Sequence, residues 1–296
     1  MGSGSVTVYE MVNEAWALMD VILVDTLNSV EHTVSLSKDG SRVAIGDRWS
    51  NDSNHGKGRV FEWDGSSFRK LGDDIYGESR LQTTASGIAL SDDGLVVALS
   101  IATFVRVFEW SAGSWTKRRL NLDGRSGGRI SWDSVALSGD GSIVALGLCE
   151  RVQVFEWKDT KWIQVGQTLK AASGEGRLGF SVSLSCSGSM LAVGSSGSDR
   201  AVSKVYTLAD ETWVELGGLI GGDYSTRASL SSDGSTFVVG LYSGRSGFFV
   251  SVYNLNEPSD TPTSRPIPLA ISGPPSVPPS GPRPTDGQTS GTLRPR

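Results

Sequence analysis

The sequence Val60-Phe61-Glu62-Trp63 recurs as Val107-Phe108-Glu109-Trp110 and again as Val154-Phe155-Glu156-Trp157. The interval between copies is 47 residues each time. A second aromatic residue follows the phenylalanine at a fixed distance, at Phe68, Trp115 and Trp162. Self-similarity at a period of about 20–50 residues is typical of repeat proteins, in which each unit covers an apolar face of its neighbour. The sequence therefore predicts an array of units of about 47 residues.

The other half of the unit is equally regular. Ala136-Leu137-Ser138-Gly139-Asp140-Gly141 has four relatives at 35–40, 89–94, 183–188 and 229–234, and each is followed by an apolar run such as Ile143-Val144-Ala145-Leu146-Gly147. Asp-Gly between two short apolar runs is a strong hairpin signal, and a two-residue hairpin turn requires positive φ at both central positions. We therefore expect each copy to form a hairpin.

One unit reads as four strands, A to D. A precedes the Asp-Gly turn, B follows it, C is the Val-Phe-Glu-Trp strand and D begins at the second aromatic residue. Alternation within C places Phe155 and Trp157 on one face of the sheet and Val152 and Val154 on the other, so both faces need cover. The predicted fold class is all-β: a β-propeller of five or six four-stranded antiparallel blades, followed by a disordered tail. A β-sandwich is the alternative, but a sandwich requires no fixed period.

The domain organisation follows from these units. Residues 1–257 are predicted to form the propeller, with units near 33–75, 85–122, 133–170 and 181–220 and partial units at 5–20 and 227–255. All 11 prolines lie after residue 257, so residues 258–296 are predicted to be a disordered linker or stalk. The N-terminal strands complete the C-terminal blade, or two partial blades remain, or the chain is part of a longer product.

Composition limits the partners. The formal net charge is −5. Residues 258–296 carry +2, so residues 1–257 carry −7 and form an acidic body. An acidic body argues against nucleic acid or an anionic membrane surface. No apolar stretch is long enough to insert into a membrane, and residues 1–6 contain no hydrophobic signal region. Cys149 and Cys186 fall at opposite ends of a blade and are expected to stay unpaired.

Gly179-Phe180-Ser181-Val182-Ser183-Leu184-Ser185, followed after the turn by Leu191-Ala192-Val193-Gly194, resembles the FG-GAP-type repeats of integrin-alpha-like propellers. The repeats are also similar to tandem repeats of large surface or secreted proteins of single-celled eukaryotes. This resemblance implies an adhesion role at a cell surface or outside the cell. The A–B turns hold only one or two acidic residues, so the calcium loop of such blades is not carried over. We expect no cofactor and no metal.

Nothing in the sequence predicts catalysis. Glu62, Glu109 and Glu156 recur at one position of the repeat, which favours a structural role over a catalytic pair. His32 and His55 are the only histidines and have no partners at metal spacing. The string Gly174-Glu175-Gly176-Arg177-Leu178-Gly179 precedes a strand, whereas a nucleotide-binding loop opens a helix. We expect no catalytic residue.

The loops predict a binding face. The B–C loops and D–A links share one end of the blades, and the B–C loop that begins at Asp47 is the longest. Binding residues usually lie on such loops. The candidate ligand-binding residues are Asp47, Arg48, Trp49, Asn51, Asp52, His55, Asp73 and Glu78. With Asp123, Glu175 and Asp223 they predict an acidic and aromatic face, which suits a cationic peptide or a sugar.

The leading functional hypothesis is a non-catalytic binding or adhesion module with a protein or glycan ligand. A carbohydrate-binding lectin is the alternative, and a propeller glycosidase is third. The sequence leaves the oligomeric state open.

Overall fold

The structure is a computed structural model, and it describes 4–24, 32–47, 57–76, 84–101, 104–118, 121–123, 130–148, 150–197, 201–216, 220–222, 225–243 and 247–256. The predicted tail at 258–296 lies outside these residues, as does Cys149. Within the described ranges every regular element is a strand. None of them is a helix that could cross a membrane.

The strands form one hairpin, four similar sheets and a last sheet of three strands. The N-terminal hairpin contains β1 (Gly4–Val12) and β2 (Ala15–Val24). Blade 1 contains β3 (His32–Leu36), β4 (Arg42–Asp47), β5 (Lys57–Trp63), β6 (Phe68–Lys70) and β7 (Ile75–Tyr76). Blade 2 contains β8 (Thr84–Leu90), β9 (Val96–Ile101), β10 (Phe104–Ser111), β11 (Ser114–Lys117) and β12 (Leu122–Asp123).

The second half repeats this plan. Blade 3 contains β13 (Ile130–Leu137), β14 (Ile143–Leu148), β15 (Arg151–Lys158), β16 (Lys161–Gln164) and β17 (Leu169–Lys170). Blade 4 contains β18 (Arg177–Leu184), β19 (Met190–Ser196), β20 (Ala201–Ala209), β21 (Thr212–Glu215) and β22 (Ile220–Gly222). The C-terminal sheet contains β23 (Ser225–Leu230), β24 (Thr236–Ser243) and β25 (Gly247–Asn254). A single bridge between Ser196 and Ser225 links the last two sheets.

Each blade is a four-stranded antiparallel meander in the order A–B–C–D. A short fifth strand, which the sequence did not predict, pairs with the beginning of strand C. The A strands of consecutive blades contact one another, so the blades stack through their faces. This arrangement is a β-propeller and confirms the predicted fold class. The N-terminal hairpin supplies strands C and D alone, and the C-terminal sheet supplies A, B and C.

The cores lie between the sheets, as the alternation in strand C predicts. The described residues form five clusters, one at each junction between consecutive units. Val154 of blade 3 belongs to the cluster shared with blade 4, whereas Phe155 packs on the cluster shared with blade 2. Trp157 is only half-buried, however, because it lies near the end of strand C and covers the edge of the preceding blade rather than its centre.

In blades 2 and 4 the second aromatic residue bonds to the blade before it. The Nε1 atom of Trp115 donates to the carbonyl oxygen of Leu71 at 2.8 Å, and that of Trp213 donates to Val165 at 3.0 Å. Trp213 is only 3% exposed. Trp115 and Trp213 therefore combine burial with a directional bond to the end of the neighbouring D strand, whereas Phe68 has no donor and the buried Nε1 atom of Trp162 has no acceptor among the described residues.

The glycine that ends the apolar run of strand B permits close stacking. A Cβ atom on Gly147 would overlap the carbonyl oxygen of Gly179, and one on Gly194 would overlap that of Thr226. Both acceptors belong to strand A of the next blade. Glycine at this position therefore lets the next backbone approach.

The A–B turns correct one expectation. Only the glycine of each Asp-Gly pair has positive φ, for example 66° at Gly141. The turns with two residues at positive φ are instead the C–D turns, such as Asp159 (50°) and Thr160 (62°). The reason is that the A–B turn is longer than two residues and is held by its aspartate side chain, as described next.

Candidate functional site

At the end of the blades that carries the A–B turns, the aspartate side chains are hydrogen-bonded within the protein. In blade 3, the hydroxyl of Ser138 donates to Asp140 at 2.6 Å, and the backbone amide of Ser142 donates to the same oxygen at 2.9 Å. Equivalent bonds hold Asp39, Asp93 and Asp233. The hydrogen bond from Ser37 lowers the pKa of Asp39 from 3.8 to about 2, and bonds from Ser41 add to the effect. These carboxylates therefore close the turns.

Backbone hydrogen bonds also join the A–B turns of consecutive units. The amide of Lys38 donates to the carbonyl of Asp92, and the relay continues through Gly139 and Cys186 to Ser232, with distances of 2.7–2.9 Å. Cys186 is a free thiol, as predicted, and its Sγ atom donates to the Asp92 carboxylate at 3.2 Å. Among the described residues, no group of three or more potential ligands could hold a metal ion.

Two of the three recurring glutamates of strand C are engaged by arginines. Glu62 accepts two bonds from Arg42, at 3.0 and 2.6 Å, and Arg42 also reaches the carbonyl of Asp93 in blade 2. Glu109 accepts from Arg118, which donates in turn to the carbonyl of Gly141 in blade 3. These contacts support the structural role inferred for the repeated glutamates.

The opposite end of the blades carries the B–C loops and D–A links. Of the predicted binding residues, Arg48, Trp49, Asn51, Asp52, His55 and Glu78 lie outside the described residues. Asp47 is the last residue of β4 and is fully buried, with its carboxylate 3.9 Å from the guanidinium of Arg59. Asp73 is exposed. Asp47 and Asp73 are thus the members of the predicted set that the described part of the chain contains, and the binding site stays a prediction.

The stem of the longest loop is fixed by buried charges. Asp47 and Lys57 face each other as the last pair of β4 and β5. The ammonium of Lys57 lies 3.0 Å from Asp74, which also accepts from Lys70 at 2.8 Å. Burial of Asp74 opposes its ionisation, but the bonds from Lys70 and Lys57 outweigh burial and lower its pKa. The strand ends at Asp47 and Lys57 are therefore held in place by these charges.

A cavity of about 400 Å³ opens at this end, between blades 3 and 4. It is lined by the short B–C turn and by the D–A link: Glu150, Arg151, Lys170, Ala171, Glu175, Gly176 and Arg177. Glu175 is turned inward, where its carboxylate lies 3.1 Å from Lys204 and accepts from the amide of Ala172. Lys204 is also 3.4 Å from Glu215, and Glu150 lines the cavity too, so the three cations Arg151, Lys170 and Arg177 exceed the two lining carboxylates by one positive charge and make the rim weakly cationic.

Arg151, Lys170 and Arg177 were not predicted, because the candidates came from the longest B–C loop and from the acidic residues of the D–A links. The usable signal was position: Lys170 and Arg177 flank the D–A link, and Arg151 follows the B–C turn. The Gly174–Gly179 string lies in the same link and leads into β18, as the argument against a nucleotide loop required.

A smaller cavity of about 170 Å³ lies between blades 1 and 2. Asp73, Asp74, Ile75, Tyr76, Phe108, Ser114 and Trp115 line it. Tyr76 is 45% exposed, and its hydroxyl donates to Asp74 at 3.2 Å. Here an exposed aromatic ring stands beside two carboxylates, one of which, Asp73, belongs to the predicted set.

Known structures agree with the fold. A protein from Lactobacillus plantarum shares 18% identity with a TM-score of 0.54, covering 75% of this chain and 66% of that one. A protein of unknown function from Desulfotomaculum acetoxidans shares 15% identity with a TM-score of 0.55, covering 80% and 68%. A candidate 6-phosphogluconolactonase from Bacteroides fragilis shares 13% identity with a TM-score of 0.53, covering 84% and 73%.

These likenesses show the fold alone. The chain spans just under two thirds of the length of the Lactobacillus plantarum protein. No family model matches the chain, and no curated protein matches it.

Proposed function

We propose that this chain is a non-catalytic binding module of the FG-GAP or integrin-alpha-like kind, belonging to a cell-surface or secreted protein. Its ligand, a protein or a glycan, binds at the end of the blades that carries the B–C loops and D–A links. The observation that carries the proposal is the contrast between the two ends. At the A–B and C–D turns the repeated carboxylates and amides are engaged within the fold, and the Glu109 and Arg118 side chains that line a cavity of about 460 Å³ there pair with each other, whereas the other end holds differing charged residues around a cavity of about 400 Å³.

The cationic rim between blades 3 and 4 suggests an anionic group on the ligand. Lys170 and Arg177 are exposed and can each contact a carboxylate on a protein or an acidic glycan. The surrounding body is acidic, so the rim would select a localised anion rather than a polyanion such as nucleic acid.

The proposal is tested by binding of the full chain to a glycan array that includes acidic glycans and to an array of acidic peptides. Lys170→Ser with Arg177→Ser should weaken binding at least about tenfold, since two ion pairs at a partly exposed site contribute roughly 1 kcal/mol each. Lys158→Ser with Lys161→Ser removes the same charge at the C–D turns, where both lysines are exposed. Equal loss in both double variants would contradict the choice of face.

A lectin remains the second candidate because of the cavity between blades 1 and 2. An exposed aromatic ring beside carboxylates can stack on a sugar and accept its hydroxyl hydrogens. Tyr76→Ala should then abolish binding to neutral glycans, whereas Tyr76→Phe should retain the stacking and most of the affinity. If neutral glycans do not bind the wild-type chain, this second function is wrong.

The absence of catalysis is part of the same proposal. The pairing of Glu62 with Arg42 and of Glu109 with Arg118 supports it. Turnover of chromogenic glycosides by the wild-type chain, lost in a Glu109→Gln variant, would overturn it.

A further inference from the structure

Within the described residues, the blade array ends in two exposed apolar faces. The N-terminal face consists of apolar residues of the hairpin and of strand A of blade 1: Tyr9, Met11, Trp16, Leu18, Val34 and Leu36. All six are exposed, and Trp16 is 65% exposed. The C-terminal face belongs to the last sheet and includes Val250 and Val252, the latter 51% exposed.

Each face is half of a junction that recurs inside the chain. Trp16 holds the position of Trp213, which is 3% exposed and bonded to the preceding blade. Val252 holds the position of Val154, which is 1% exposed against the following blade. The N-terminal face therefore has the shape of a surface that packs on a preceding blade, and the C-terminal face that of a surface that packs on a following one.

The backbone relay has complementary ends as well. Ser232 accepts from Cys186, but its own amide has no backbone acceptor among the described residues. At the other end Lys38 donates to Asp92, while no described backbone amide donates to the Lys38 carbonyl. One end of the relay thus offers a donor and the other end an acceptor.

We propose that the C-terminal face of one copy of this chain packs on the N-terminal face of a second copy, continuing the blade stack. A second copy is the occupant because the two faces are complementary and because both are exposed at once in the single chain, so they do not cover each other. The contact is continuous with an interface already repeated at every junction. A head-to-tail contact of this type closes into a ring or extends as a filament.

Sedimentation velocity over a concentration series tests the proposal with the full chain. The wild-type chain should change from monomer to dimer or larger species as its concentration rises. Trp16→Glu with Leu18→Glu disables the N-terminal face, and Val250→Glu with Val252→Glu disables the C-terminal face. Each double variant alone should remain monomeric or form nothing larger than a trace of dimer at the highest concentration.

The mixture is the decisive measurement. Equimolar N-face and C-face variants should form a one-to-one heterodimer and nothing larger, because each retains one intact face and the two intact faces are complementary. The control Ile163→Glu with Val214→Glu changes two exposed apolar residues of D strands inside the array and should associate like the wild type.

Three outcomes would overturn the proposal. The first is a wild-type chain that stays monomeric at every concentration, which would include closure of the chain on itself. The second is association lost in the N-face variant alone, which indicates a symmetric contact. The third is a mixture that forms no heterodimer although circular dichroism shows both variants folded. If a glutamate variant fails to fold, Trp16→Ser and Val252→Ser replace it.

Discussion

Substituting the same repeat tryptophan in two different units separates the stability that burial at a junction contributes from the residue's other contributions to stability. Trp213 and Trp16 occupy the same repeat position, but Trp213 is 3% exposed against blade 3, whereas Trp16 is 65% exposed. Trp213→Ala and Trp16→Ala therefore remove the same atoms from an enclosed site and from an open one. The free energy of unfolding should respond very differently to the two changes.

The expected magnitudes follow from burial. A tryptophan that buries up to about 250 Å² at about 25 cal/mol/Å² contributes at most about 6 kcal/mol. Measured losses for large aromatic residues in closed cores are about 3–5 kcal/mol. We expect about 4 kcal/mol for Trp213→Ala, which also leaves the Val165 carbonyl without its donor. Trp16 is 65% exposed and leaves no closed cavity, so its loss should be about 1 kcal/mol.

Urea unfolding followed by far-ultraviolet circular dichroism measures both values, in dilute solution so that association does not contribute. Equal losses for the two variants would refute the assignment of the hairpin as an uncovered unit. A loss below about 1 kcal/mol for Trp213→Ala would refute the junction cores themselves.

Two further predictions concern the repeat. Gly147→Ala should destabilise the chain by about 1–3 kcal/mol through overpacking, because the new methyl group would overlap Gly179. Gly240→Ala in the last sheet should change the stability little, because the atoms nearest to its new methyl group are 4.0 Å away. Equal melting temperatures for the two variants would contradict the close approach of the backbones at Gly147. The pKa of Asp39 in the folded chain, about 2, lies below its ordinary 3.8, so its carboxylate stabilises the fold above about pH 4 and loses this contribution as the pH falls towards 2. The difference in unfolding free energy between the wild type and Asp39→Asn should therefore shrink over that interval in acid titrations of unfolding. A difference that does not vary with pH would contradict this prediction.

The features that could be predicted from the sequence are those marked by side chains that recur in each repeat. The alternation of Val154 and Phe155 indicated a sheet covered on both faces, and the 47-residue interval indicated that the cover is another copy of the sheet. The half-burial of Trp157 was not predictable, because alternation reports a face and not the distance from its edge. Resemblance to FG-GAP-type repeats remains a proposal, since neighbours of 13–18% identity show the fold alone.

The features that could not be predicted depend on backbone pairing or on charged residues that do not repeat. The fifth strands are two or three residues long and pair through the main chain, so they leave no hydrophobic pattern. The cationic rim at Lys170 and Arg177 gave no repeat signal, because it occurs at one junction. Its charge depends on where the Glu175 carboxylate points, 3.1 Å from Lys204, and the sequence does not show this.

The relay across the A–B turns has a consequence for how the repeats diverge. Its members are Lys38, Asp92, Gly139, Cys186 and Ser232, five unrelated residue types at one repeat position. Every residue except proline supplies the amide and carbonyl that the relay uses. Mutation can therefore drift at this position without breaking the backbone contact between neighbours, although a side chain at Gly139 would displace those of Cys186 and Asp92. Proline is the substitution that selection should remove.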